Sequence, residues 1–263
     1  MKKKALLVIS FGTSYKETRE KTIEAIENKL RETFSEYDFY RAFTSRMIIK
    51  KLKNRDGLLV DTPLEALEKI NKEGYSEVLC QSLHIINGIE YEMTLKEIEE
   101  YKNEFDKIEL GKPLLTSEDD YDKAITAIVN NSPKLRDDEA LILMGHGTEH
   151  LENSAYVRLD YKFKKKGFNN VFVGTVEGFP LIEDVIEHIK EIGIKKIYLM
   201  PFMIVAGDHA QNDMAGDEED SWKSILEDKG YEVEVILKGL GEFEEIRSIF
   251  VEHAFNKIKK DKR

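Results

Sequence analysis

Two histidines and a glutamate, His146, Glu177 and His209, each lie just beyond a short apolar run. Neutral imidazole nitrogens and a carboxylate oxygen form a donor set that suits a divalent first-row metal ion. The intervals between the three are those of successive strand–helix units, not of a local metal-binding motif. Spacing alone therefore leaves two readings open: one shared metal site, or three separate structural roles. The single cysteine, Cys80, excludes an internal disulfide and a thiolate cluster. Any metal must rely on His, Asp or Glu.

His146 has the most telling surroundings. Leu141-Ile142-Leu143-Met144 is a buried-strand pattern, and Gly145-His146-Gly147-Thr148 turns sharply after it. Open α/β sheets bind ligands at the carboxyl ends of their strands. Glycines on either side of the imidazole allow backbone angles that a Cβ forbids, and they leave room for a large ligand. A tight strand-to-helix turn with an incidental imidazole is the alternative.

These residues are carried by a regular alternation of elements. Strands are expected over 4–9, 38–42, 78–83, near 108, and over 139–144, 171–175, 196–200 and 233–237. Helices fill the intervals. The first runs from a Ser14/Glu17 capping box to about Phe34, and another begins at Thr62-Pro63-Leu64-Glu65. Thr44-Ser45 caps a helix carrying Arg46. A loop after the third strand delivers Glu90 and Glu92, and Pro180 opens a helix reaching about Ile192. Such alternation predicts parallel sheets with helices on both faces.

The chain also reads as a duplication. Ala5-Leu6-Leu7-Val8-Ile9-Ser10-Phe11-Gly12-Thr13 aligns with Ala140-Leu141-Ile142-Leu143-Met144-Gly145-His146-Gly147-Thr148, which sets Phe11 in the place of His146. A weaker match aligns 83–88 with 202–207 and sets Glu90 opposite His209. The break is expected near residues 131–138. That gives an N-terminal α/β domain over 1–135 and a C-terminal one over 136–263 carrying the metal ligands, with a ligand cleft between them.

The remaining polar groups compete with plain structural roles. His150 either lines the site or is solvated. His188 and His253 read as surface or interface residues on helices, and His84 as a hydrogen-bonded structural imidazole. Asp208 and Asp213 flank His209, and either can orient its ring or cap a helix. The 217–220 acidic run reads as a solvated helix start, and the basic tail from Lys257 to Arg263 as a solvated end. Ser10, Thr13, Ser14, Arg46 and Glu90 are the candidate substrate contacts, from their positions at strand edges. No phosphate loop of G-x-x-x-x-G-K-[ST] type and no G-x-S-x-G elbow occurs.

The 263 residues carry 35% charged side chains and a formal net charge of -11. That field disfavours nucleic acid and anionic membranes as partners. The apolar run near the start is too short for a signal peptide, and no stretch of about twenty apolar residues suggests a membrane helix. A cytoplasmic protein is expected.

Beyond these readings, the chain resembles a known family over nearly its whole length. The matching residues begin with Ala5 to Tyr15, Arg41 to Ser45 with Met47 to Ile49, and Asp61 to Leu64. They continue with Gln81 to Gly88, Glu90 to Glu92, Met144 to Gly147, Leu199 to Pro201 and Val205 to His209. Asn212 to Ala215, Asp220 to Lys223 and Gly239 to Glu242 complete the set. It is similar to the anaerobic sirohydrochlorin cobaltochelatases of the CbiK type, within the class II tetrapyrrole chelatases of cobalamin synthesis. The resemblance implies two similar α/β domains with an active cleft between them. It implies insertion of Co2+, as a metal substrate, into sirohydrochlorin by a metal-inserting lyase, with a metal site of His146, Glu177 and His209. Glu177 would also accept a pyrrole proton, and Glu90 would assist from the other half. The segment Gly174 to Pro180 follows the family pattern loosely at Gly178 and Phe179. No organic cofactor is implied, and a homo-oligomer is compatible with the sequence. Alternatives are the same chemistry with Fe2+ or Ni2+, a non-catalytic metal or tetrapyrrole carrier, and an unrelated α/β hydrolase or transferase.

Overall fold

In the computed structural model, residues 2–259 are described; positions 260–263 of the basic tail lie outside them. Two four-stranded parallel sheets account for all eight strands among those residues. The first contains β1 (Lys4–Ser10), β2 (Asp38–Phe43), β3 (Glu77–Ser82) and β4 (Lys107–Gly111), in the order β2-β1-β3-β4. The second contains β5 (Glu139–Gly145), β6 (Val171–Thr175), β7 (Lys196–Pro201) and β8 (Glu232–Val235), in the order β6-β5-β7-β8. The topologies are identical, as the duplication requires.

The equivalence reaches single hydrogen bonds. Leu83 N–H donates to Ile9 O at 2.8 Å, and Phe202 N–H donates to Met144 O at 2.7 Å. Thr44 N–H donates to Ser10 O at 2.9 Å, and Val176 N–H donates to Gly145 O at 3.1 Å. Gly12 and Gly147 both take positive φ, +93° and +81°. These pairs reproduce both alignments read from the sequence.

The described residues also form ten α-helices: α1 (Lys16–Lys21), α2 (Ile23–Thr33), α3 (Arg46–Asp56), α4 (Pro63–Lys72), α5 (Ile89–Glu100), α6 (Glu118–Asn131), α7 (Ser154–Lys165), α8 (Ile182–Lys190), α9 (Trp222–Asp228) and α10 (Glu244–Lys259). The capping box at Thr62/Glu65 forms as expected, and Ser45 caps α3 by accepting from Ile48 N–H. Among the described residues no helix is long and apolar enough to cross a membrane.

Four local expectations are corrected. The Ser14/Glu17 box does not form: Tyr15 is the N-cap, and its N–H instead donates to Thr13 Oγ1 at 3.2 Å. The long first helix is broken at Thr22, whose hydroxyl donates to Thr18 O at 2.5 Å, the back-bonding that bends helices. Glu90 and Glu92 lie in the first turn of α5, not in a loop. Pro180 precedes its helix: it follows Phe179 through a cis peptide, its carbonyl accepts from Thr175, and Leu181 is the N-cap of α8.

The chain divides into two compact units, Met1–Thr116 with Glu244–Arg263, and Ser117–Phe243. The sequence reading places the division at 135/136. Two helices account for the difference. Ile246, Ile249, Phe250 and Ala254 of α10 are buried, α10 packs on β3, β4 and α2, and His253 Nδ1 bonds Lys112 O at 3.1 Å. His253 is therefore buried and not a surface residue. Helix α6 packs on α7, where Lys162 and Arg158 pair with Glu118. Each unit has its own core. In the first, Ala5, Leu7, Ile9, Val78 and Cys80 meet Ala66, Leu67 and Ile70 of α4. In the second, Ala140, Ile142, Met144, Ile197 and Leu199 meet Ile182, Val185, Ile186 and Ile189 of α8.

Candidate metal centre

The second sheet presents the three candidate ligands at the carboxyl ends of adjacent strands. Chain direction reverses just past β5 at Gly147, where φ is +81° and a Cβ would sit 2.7 Å from Gly178 N and 2.8 Å from Thr175 Cβ. The loop after β6 therefore lies directly on the loop after β5. Glu177 N–H donates to His146 O at 2.8 Å, which fixes the acid beside the imidazole. In the first unit the equivalent donor is Ser45, whose N–H reaches Phe11 O at 3.3 Å. That edge therefore repeats the backbone scaffold with phenylalanine and serine where the second has histidine and glutamate.

Residues that sequence reasoning missed hold these loops. Asn153 accepts from Thr148 N–H at 3.0 Å and donates to Phe179 O at 2.6 Å, tying the two loops together. A Cβ at Gly178 would lie 2.4 Å from Asn153 Oδ1, so glycine leaves room for this contact. Tyr156, fully buried, packs where a Cβ of Gly145 would be, and its hydroxyl lies at the backbone of His146 and Gly147. Burial pushes that phenol up to about 12. Neither Asn153 nor Tyr156 belongs to a recognisable spacing; each matters through a contact between loops.

His209 follows β7, the neighbour of β5 on its other side. One donor atom from each of His146, Glu177 and His209 falls within 4.8 Å of the others. The imidazoles meet with centroids 4.6 Å apart, and His146 Nδ1 is 3.7 Å from Glu177 Oε2. The side chains are 40%, 59% and 33% exposed respectively. A cation here would be open to water and to a large planar ligand on one side.

Tautomers follow from partners that can only accept. His146 Nδ1–H donates to Gly147 O at 3.0 Å, and His209 Nδ1–H donates to Asp213 Oδ2 at 2.5 Å. A neutral ring that donates from Nδ1 carries its lone pair on Nε2, the form a metal requires.

The other candidates separate by unit. Ser10, Thr13, Ser14, Arg46 and Glu90 all fall at the carboxyl edge of the first sheet. Ser10 is buried with its hydroxyl unpartnered, Thr13 and Ser14 are buried, Arg46 is exposed at the first position of α3, and Glu90 is half-buried. His150 serves as a cap, its Nδ1 accepting from Glu152 N–H at 3.2 Å. His188 is exposed and bonds Asp184 O. Ser82 accepts from His84 N–H and so directs its own proton to His84 Nδ1 at 2.8 Å. Burial pushes the His84 imidazole down to about 4.

Comparison with known proteins gives a family and a fold. The family model described as cobalt chelatase (CbiK) matches residues 4–259. The chain is 46% identical over 251 residues to the sirohydrochlorin cobaltochelatase of Salmonella typhimurium, covering 95% of each chain. It is 33% identical over 256 residues to sirohydrochlorin cobaltochelatase CbiKC of Nitratidesulfovibrio vulgaris, covering 96% of this chain and 90% of the relative. Among solved structures, SirB from Bacillus subtilis with Fe3+ superposes with a TM-score of 0.69 at 13% identity, covering 99% and 97%. CbiX, described as the terminal enzyme for biosynthesis of siroheme in denitrifying bacteria, gives 0.55 at 15% identity, covering 96% and 98%. At these identities the two structures speak for the fold alone.

Proposed function

The chain belongs to the cobalt chelatase (CbiK) family, and on that premise we propose that it inserts Co2+ into sirohydrochlorin through His146, Glu177 and His209. The single observation that carries the assignment of residues is the convergence of those three donors within 4.8 Å. The reaction replaces two pyrrole protons by one divalent cation and releases both to solvent.

The chemistry asks for a site that holds the metal and then gives it up. Imidazole nitrogens are borderline donors, which bind Co2+ well enough to displace its waters yet yield to four macrocycle nitrogens. Exposure of the three side chains lets the macrocycle take over coordination from the open side. Glu177 lies beside His146 and is the acceptor for a pyrrole proton; with 59% of its side chain exposed, it can pass that proton directly to water. Ser10, Thr13, Ser14, Arg46 and Glu90, at the carboxyl edge of the first sheet, are the groups we assign to the substrate's polar periphery.

The test is the rate of Co2+ insertion into sirohydrochlorin, followed by absorption, with Fe2+ and Ni2+ in competition. Preference for Co2+ and turnover beyond one macrocycle per protein are expected. Stoichiometric binding without turnover would make the protein a carrier, and preference for Fe2+ would move it to sirohaem synthesis.

A further inference from the structure

We propose that Asp213 is the positioning residue of His209, holding the ring as its Nδ1–H tautomer so that the Nε2 lone pair faces the cation. The proposal rests on the metal-site reading above and adds to it the group that prepares one ligand. The sequence offers Asp208 and Asp213 alike; the geometry puts Asp213 on the ring. Asp213 Oδ2 is 2.5 Å from His209 Nδ1, and a carboxylate can only accept, so the ring donates.

The local backbone explains how the pair forms. Residues Ala210–Met214 make a single π-helical turn after His209. Ala210 and Met214 are fully buried in the core of the second unit, which fixes the phase of the turn. His209 and Asp213 each precede one of those anchors, so they share a side of the turn next to the buried one. The turn closes at Gly216, whose N–H donates to Asn212 O at 2.9 Å, and a Cβ at Gly216 would lie 2.4 Å from that oxygen. Asp213 stands inside the turn, which rules out the capping role.

The internal repeat supplies an independent comparison. The alignment that sets Glu90 opposite His209 sets Thr94 opposite Asp213. Thr94 is buried, and its hydroxyl donates to the Glu90 backbone carbonyl at 2.9 Å. The acid is thus present only in the repeat that has the imidazole. His146 differs again: its Nδ1–H is held by the neutral carbonyl of Gly147. Of these two Nδ1–H hydrogen bonds, the one from His209 goes to a carboxylate and the one from His146 to a backbone carbonyl.

The test uses the full chain with Asp213→Ala and Asp213→Asn. In the metal-free protein, 15N-edited NMR of the imidazoles should show the Nδ1–H tautomer at His209, with Asp213→Ala converting it to a mixture while His146 is unmoved. Co2+ affinity, titrated directly without macrocycle, should fall by about 10–100-fold in Asp213→Ala. Asp213→Asn, which keeps an acceptor and loses the charge, should fall between. Insertion by Asp213→Ala should show a raised KM for Co2+ with a smaller change in kcat. An unchanged His209 tautomer, or unchanged Co2+ affinity, in Asp213→Ala overturns the proposal. His209→Ala separates the two readings: if it too leaves Co2+ affinity intact, the metal site itself is wrong, whereas loss there with no effect at Asp213 removes only the positioning role.

Discussion

The ring of His146 meets the ring of His209 edge-on, with planes at 87° and centroids 4.6 Å apart. On the proposed reading the two rings are ligands of one cation and act together. Removing either should leave a site too weak to load. His146→Ala and His209→Ala should each lower Co2+ insertion by more than ~100-fold while the far-UV spectrum is unchanged. The double variant should be scarcely worse than either single one, because ligands acting as a unit are not additive. A single variant that retains a normal rate removes that residue from the site.

Gly147 is the backbone element that brings Glu177 to His146. A Cβ there meets strained φ and two loop atoms at once, so Gly147→Ala should cost ~1–3 kcal/mol of stability and also weaken Co2+ binding. Gly57 is the control. It too has positive φ, +66°, but nothing lies within 4 Å of its Cβ position. Gly57→Ala should show only the backbone penalty of roughly 1–2 kcal/mol and normal metal affinity. Urea unfolding and Co2+ titration on both variants distinguish a contact from a conformational cost.

Cys80 lies in β3 within the first core, and burial holds its thiol far above the usual range. Thiolate is the reactive form, so this cysteine should be inert. The native protein should resist an aromatic disulfide reagent at neutral pH, and one thiol per chain should appear on denaturation. Rapid native labelling would show that the first core opens locally.

The strand-edge residues were legible because period and punctuation report them directly. The pattern around Gly145-His146-Gly147 needs no tertiary knowledge, and the repeat of that pattern at Ser10-Phe11-Gly12 revealed the twofold architecture. The residues that position the candidate ligands were not legible. Asn153 acts by joining two loops, Tyr156 by filling the space over Gly145, and Asp213 by its phase in a turn fixed by Ala210 and Met214. None of these depends on a local spacing. The break at Thr22 was missed for a related reason: the apolar periodicity continues through it, and only the hydroxyl's bond to Thr18 O marks it. Helix α10 was assigned by chain order to the nearer sheet, although its apolar face fits the farther one.

His84 makes the protein's stability depend on acidity in a definite direction. Its Nδ1 faces the Ser82 hydroxyl, and its Nε2 is buried without a partner. Burial lowers the folded-state value from 6.5 to about 4, because the charged ring loses hydration. Above about pH 6.5 the ring is neutral in both states and there is no penalty. As pH falls toward about 4 the unfolded chain takes up a proton that the folded chain does not. Stability must therefore decrease over this window, by up to ~1.4 kcal/mol per pH unit. Below about pH 4 both states are protonated and this contribution levels off. Other groups titrate in the same range, so the contrast with His84→Gln carries the test. Urea denaturation at pH 7.5 and pH 4.5 should show a smaller loss for the variant than for the parent chain. Equal losses in the two proteins would mean that the folded imidazole accepts its proton as readily as the unfolded one, and that its surroundings are wetter than the buried Nε2 indicates.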